Sequence, residues 1–144
     1  MKWSMTKIKT NMNTKHHVSQ TIAKQLAEAG IVIESEYVWQ KWNNAEDWVI
    51  RRPIQRGKRV PEIFQEIPAP IATEILERLP AELIVEKVTY NLFIGVAETE
   101  RGTEYYVGYA DEFEREELLC ELQTATIPNA LALLLIRLTK DGLT

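Results

Sequence analysis

The strongest constraint on this chain lies near its C-terminus, in the stretch TIPNALALLLIRLTKDG that runs from Thr126 to Gly142. Both ends carry helix punctuation. Thr126 is a candidate N-cap whose hydroxyl can accept from an orphan backbone N–H, and Pro128 falls in the first turn, where a missing donor costs nothing. Lys140 suits the negative end of a helix, and Gly142 can adopt the left-handed conformation that stops one. Between these marks Ala130, Leu131, Ala132, Leu133, Leu134, Leu135, Ile136 and Leu138 leave almost no polar face. A helix that is apolar all round has to be buried. The rest of the fold is therefore expected to wrap this segment.

At 144 residues the chain has the length of one domain. We expect residues 1–14 (MKWSMTKIKTNMNT) to form a flexible leader anchored only by Trp3, and residues 15–144 to form a single domain. The hydrophobic and charged fractions, 45% and 26%, are those of a globular protein and not of a disordered one. The longest apolar run, Ala130 to Ile136, would span roughly 10 Å as a helix, far less than the roughly 20 residues a bilayer core requires. No membrane partner is expected. The basic N-terminus lacks the apolar centre of a signal peptide. Cys120 is the only cysteine, which excludes an intrachain disulfide and fits a reducing cytoplasm.

Periodicity divides the rest. Val18, Ile22, Leu26 and Ala29 recur at helical spacing between Ser19 and Gly30, which predicts an amphipathic helix over 19–29. Residues 36–42 and 48–51, separated by an Asn/Asp turn, read as a hairpin with Tyr37 and Trp39 on one face and Val38 and Trp42 on the other. Residues 67–70 are extended, 71–79 form a short helix stopped by Pro80, and 82–97 are strand-forming with a break near Glu86 and Lys87. A turn at 100–102 returns the chain as a strand over 103–110, with Gly95 and Gly108 marking bulges or close backbone approach. Residues 111–117 form an acidic loop, while 118–123 read equally well as a helical turn or an edge strand. The expected class is α+β: a mainly antiparallel sheet packed against a buried C-terminal helix, with an N-terminal amphipathic helix. One sheet face does not cover a helix that is apolar on nearly every side, so a homodimer is expected to hide the remainder.

Charge is unevenly spread. Residues 1–60 hold 11 Lys and Arg against 5 Asp and Glu, and residues 61–144 hold 6 against 16. Five cations, Arg51, Arg52, Arg56, Lys58 and Arg59, crowd a loop marked by Pro53 and Gly57. No phosphate-cradling glycine motif surrounds them. Three tryptophans, Trp39, Trp42 and Trp48, lie just upstream. Two readings stand side by side. The aromatic residues are core packing and the basic loop is solvated or paired with the acidic half. Alternatively, Tyr37, Trp39, Trp42 and the five cations form a contact face for a partner.

Catalytic residues are not expected. His16 and His17 are the only histidines, and neighbours on a helix point about 100° apart, which hinders sharing one metal. Cys120 sits among leucines as a small hydrophobe. The glutamates lie in solvated runs or pair locally, as Glu74 and Arg78 would at i,i+4. No metal site, cofactor or enzymatic activity is expected.

Three blocks, SQTIAKQLAEAGIVIESEYVWQKW (19–42), IPAPIATEILERLPAEL (67–83) and PNALALLLIRLTKDGL (128–143), together resemble small uncharacterised proteins encoded in phages, prophages and mobile elements of bacteria. The long leader and the basic loop over 51–59 depart from that pattern. The resemblance implies an origin in a bacterial host cytoplasm and supplies no catalytic residues. The function expected is that of a non-enzymatic phage or mobile-element accessory protein that binds a host or phage macromolecule. The alternative is a nucleic-acid or nucleotide-binding module that uses the basic loop.

Overall fold

The computed structural model describes residues 16–42, 46–53, 64–111 and 122–143. The expected leader, the acidic loop, Cys120 and the loop residues Arg56, Lys58 and Arg59 lie outside the described residues. In chain order the elements are α1 (Gln20–Glu28), β1 (Val38–Trp42), β2 (Val49–Arg51), β3 (Phe64–Pro68), α2 (Ala72–Leu76), β4 (Glu82–Val85), β5 (Val88–Thr99), β6 (Gly102–Asp111), β7 (Leu122–Thr124) and α3 (Ile127–Lys140). The class is α+β, with helices packed on antiparallel sheets.

Helix α3 is the buried rod that its composition demands. Pro128, Ala130, Leu131, Ala132, Leu134, Leu135, Ile136 and Leu138 are all buried. Its cover comes from within one chain: α2 and α1 pack along it, and β6 and β7 lie beneath. The reason for expecting a homodimer therefore disappears, because no long apolar stripe of this helix is left for a second copy to hide.

The helix ends follow their residues, with one exception. Ser19 caps α1 by accepting the Ile22 N–H at 3.2 Å. Both long helices stop in the paired-bond C-terminal motif. Gly30 and Gly142 sit at φ of 77° and 73°. In α1, the Gly30 and Ile31 N–H groups reach back to the Ala27 and Leu26 carbonyls; in α3, those of Gly142 and Leu143 reach Thr139 and Leu138. Thr126 is the exception. It occupies the N-cap position of α3, but its hydroxyl makes no capping bond and is buried without a partner. The Thr124 hydroxyl donates to the Thr126 carbonyl at 2.6 Å instead, and the Ser19 N–H donates to Asn129 Oδ1 at 2.8 Å. The start of α3 is thus tied to the start of α1.

Two sheets share the work that one was expected to do. The first has the order β2-β1-β3 and the second β4-β5-β6-β7, every pair antiparallel. The expected hairpin over 36–51 is present, and β3 adds a strand where only an extended stretch was expected. Pairing with β3 makes β1 the central strand, and Val38, Trp39 and Gln40 are consequently all buried. In the second sheet the break at Glu86 and Lys87 is a two-residue turn with both residues in the left-handed region, at φ of 51° and 69°, which matches the twist of the flanking strands. The β5–β6 register runs without interruption from Tyr90↔Asp111 to Thr99↔Gly102. Neither Gly95 nor Gly108 marks a bulge. The segment left open between helix and strand ends as strand at Leu122–Thr124.

Two side chains bind distant segments together. The Glu74 carboxylate accepts from the Ser35 hydroxyl at 2.8 Å, the Ile71 N–H at 2.9 Å and the Glu36 N–H at 3.2 Å. It serves the chain before α2 and not Arg78, which donates to the Val32 carbonyl; the expected i,i+4 ion pair does not form. Tyr109 is fully buried and its hydroxyl donates to the Pro80 carbonyl at 2.6 Å. Burial pushes its pKa up to about 12.

Two outcomes follow for stability. Leu134→Ala, at a fully buried position of α3, should lower the urea-unfolding free energy by about 2–5 kcal/mol with little change in slope. Tyr109 is favoured in its neutral form by the fold. Its contribution is therefore complete below the ordinary tyrosine range near 10 and is lost as pH rises from there through about 12. An absorbance titration of phenolate should show one late-ionising tyrosine, and Tyr109→Phe should remove it.

Candidate functional site

The residues expected to form a contact face are only partly brought together. Trp39 is withdrawn from it: the side chain is 7% exposed, and its indole N–H donates to the Val18 carbonyl at 2.9 Å. Its place is in the core, where it ties the segment before α1 to β1. Trp42, at the end of β1, is half-buried. Trp48 also packs against the core, with the Lys24 ammonium 5.1 Å above its ring.

What remains is a cluster at the edge of the first sheet. Arg51 ends β2, the outer strand, opposite Val38. Arg52 follows, and its guanidinium lies 5.9 Å from the centre of the Tyr37 ring. Tyr37 is half-buried and receives the edge of the His17 ring at 5.1 Å and 73°. Both arginines are exposed, and among the described residues neither enters an ion pair. Alternation places Arg51 on the Val38 face, whereas Tyr37 lies with Trp39 on the other. The cluster therefore wraps an edge and does not form a flat patch.

The two histidines part company. His17 is buried, bridges to Ile71 and uses Nδ1 to donate to the Ala69 carbonyl at 2.6 Å. Its neighbour His16 is exposed and lines a cleft together with Ile71.

That cleft was not legible in the sequence. It is an open cleft of about 890 Å³, walled by Ile71, Ala72 and Thr73 at the start of α2, Ala125 to Pro128 at the start of α3, and Thr103 and Tyr105 from β6. These residues are separated by up to 112 positions, and no motif links them. Thr126 is part of this wall, and its hydroxyl oxygen is buried behind the surface without a partner. Among the described residues that line it, none is an Asp, Glu, Lys or Arg, although 26% of the chain is charged.

No family model, curated protein or solved structure matches the chain. Among the described residues, no helix is long and apolar enough to cross a membrane.

The orphan hydroxyl has a measurable cost. Thr126→Val keeps the shape and the β-branch while removing a buried oxygen that bonds to nothing. It should leave the fold intact and raise stability by about 1 kcal/mol, measured as a higher urea midpoint. A capping hydroxyl would give the opposite sign.

Proposed function

We propose that this is a non-catalytic accessory protein of a phage or other mobile element, acting in the cytoplasm of a bacterial host by binding a macromolecule at the β2 edge. The observation that carries the reading is the pair of exposed arginines at that edge, which among the described residues enter no ion pair, one of them over the Tyr37 ring. A guanidinium held over a ring keeps its fork of donors outward and loses less freedom on binding. The partner surface it fits is acidic. Two polar side chains that could otherwise do acid–base work are spoken for within the fold: His17 bonds the Ala69 carbonyl and Tyr109 bonds the Pro80 carbonyl. The resemblance of the three sequence blocks to phage-encoded proteins supports the origin. Self-association is not required, since α3 is covered within one chain.

An acidic protein and a nucleic acid are separated by salt. Labelled single- and double-stranded 20-mers should not bind the protein, while a partner captured from host lysate should be lost on the double substitution Arg51→Glu and Arg52→Glu. The reading fails if the 20-mers bind at 50 mM salt, weaken about tenfold by 200 mM as two phosphate contacts require, and are released by the same substitutions. That result would make the protein a nucleic-acid binder.

A further inference from the structure

The cleft between the starts of α2 and α3 is separate from the arginine edge and has its own chemistry. Its volume of about 890 Å³ falls within the range of small-molecule sites, roughly 300–1,000 Å³. Its walls are Ile71, Ala72, Ala125, Ile127 and Pro128 with the Tyr105 ring. Among the described residues its polar side chains are few: Thr73, Thr103, Thr126 and His16. Mostly apolar walls with a small number of hydrogen-bonding groups are the pattern of ligand pockets in general. Charged ligands are disfavoured here, because among the described lining residues there is no Asp, Glu, Lys or Arg to replace lost water. Thr126 adds an independent sign. Its hydroxyl is buried and unbonded, an arrangement that costs stability and that a hydrogen-bonding ligand would relieve. A 120° turn about its χ1 bond carries that oxygen to the position now held by the methyl group or by the hydrogen.

We infer that this cleft is a binding site for a soluble, uncharged and largely apolar small molecule bearing a hydrogen-bonding group. The site is distinct from the arginine edge and does not depend on any role for Arg51 or Arg52.

The test uses the full chain and N-phenyl-1-naphthylamine, a neutral apolar probe with one N–H donor. Fluorescence titration should give saturable one-to-one binding, and amide shifts in a protein NMR spectrum should concentrate at Thr103, Tyr105, Thr126 and Ile127. Ala125 is exposed, so Ala125→Trp can fill the cleft from its rim and should weaken the probe at least tenfold. If that variant does not fold, Thr73→Trp, also at an exposed wall position, takes its place. The substitutions Arg51→Glu with Arg52→Glu should leave probe binding unchanged, as should Ile84→Ser, which removes an exposed apolar side chain elsewhere. The inference is overturned by absence of saturable binding, by shifts centred on Ile84 or Val96, or by probe affinity that survives the filled cleft. It is also overturned if neutral phosphatidylcholine vesicles sediment the wild-type chain but not Ala125→Trp, since the cleft would then hold a lipid chain.

Discussion

Everything in this structure answers to the burial of α3. A helix with leucine or alanine on every side cannot be satisfied by a single layer, because one sheet covers only part of its circumference. The chain solves this with elements drawn from its whole length. The second sheet supplies the floor through β6 and β7, and α1 and α2 close the sides. The price is topological, since residues near position 18 and residues near position 138 must share one core.

Polar bonds fix that long-range closure where apolar contacts alone would leave it sliding. The Ser19 N–H on Asn129 joins the starts of α1 and α3 across 110 positions. The Trp39 indole on the Val18 carbonyl joins the first sheet to the same place. His17 on the Ala69 carbonyl and Val18 N–H on the Pro70 carbonyl at 3.0 Å add the segment before α2. These directional bonds gather on three consecutive residues, 17 to 19, and draw in Ala69 and Pro70. Hydrophobic burial is non-directional, so it stabilises the rod without choosing which face of α1 meets it. The bonds at Ser19 and Trp39 choose.

Local signals were readable wherever a residue's role depends on its neighbours in sequence. Ser19, Gly30, Gly142, the break at Glu86 and Lys87, and the Leu-rich rod all do what spacing and backbone preference require. Roles set by distant residues were not readable. Phe64–Pro68 becomes a strand only because β1 pairs with it, and its own composition, ending in proline, is a weak strand signal. Trp39 looked available to a partner because a hairpin in isolation has two open faces, and β3 together with the core removes both. Thr126 has the right residue type for a cap, but with its side chain turned inward the hydroxyl meets no donor. Of the aromatic and basic residues singled out as a contact face, Arg52 lies over the Tyr37 ring, Arg51 sits on the opposite face of the sheet, and Trp39 is in the core. The cleft left no trace at all, since its walls meet only once the starts of α2 and α3, β6 and His16 come together.

The arginine edge has a second physical meaning that must be weighed against recognition. An outer strand offers unpaired backbone groups to any other strand, and proteins blunt such edges with short strands, charge and proline. β2 is three residues long, ends at Arg51 and is followed by Arg52 and Pro53, which are all three devices. Edge protection, however, is indifferent to the sign of the charge and gains nothing from holding a side chain still. Arg52 is held, against a Tyr37 ring that is itself braced by His17. Ordering an exposed long side chain costs rotamer freedom, and a guard has no use for that order. A binding group does, because the freedom is already lost before the partner arrives. The contact of Arg52 with Tyr37 is therefore the feature on which the proposed recognition rests, beyond what edge protection alone would need.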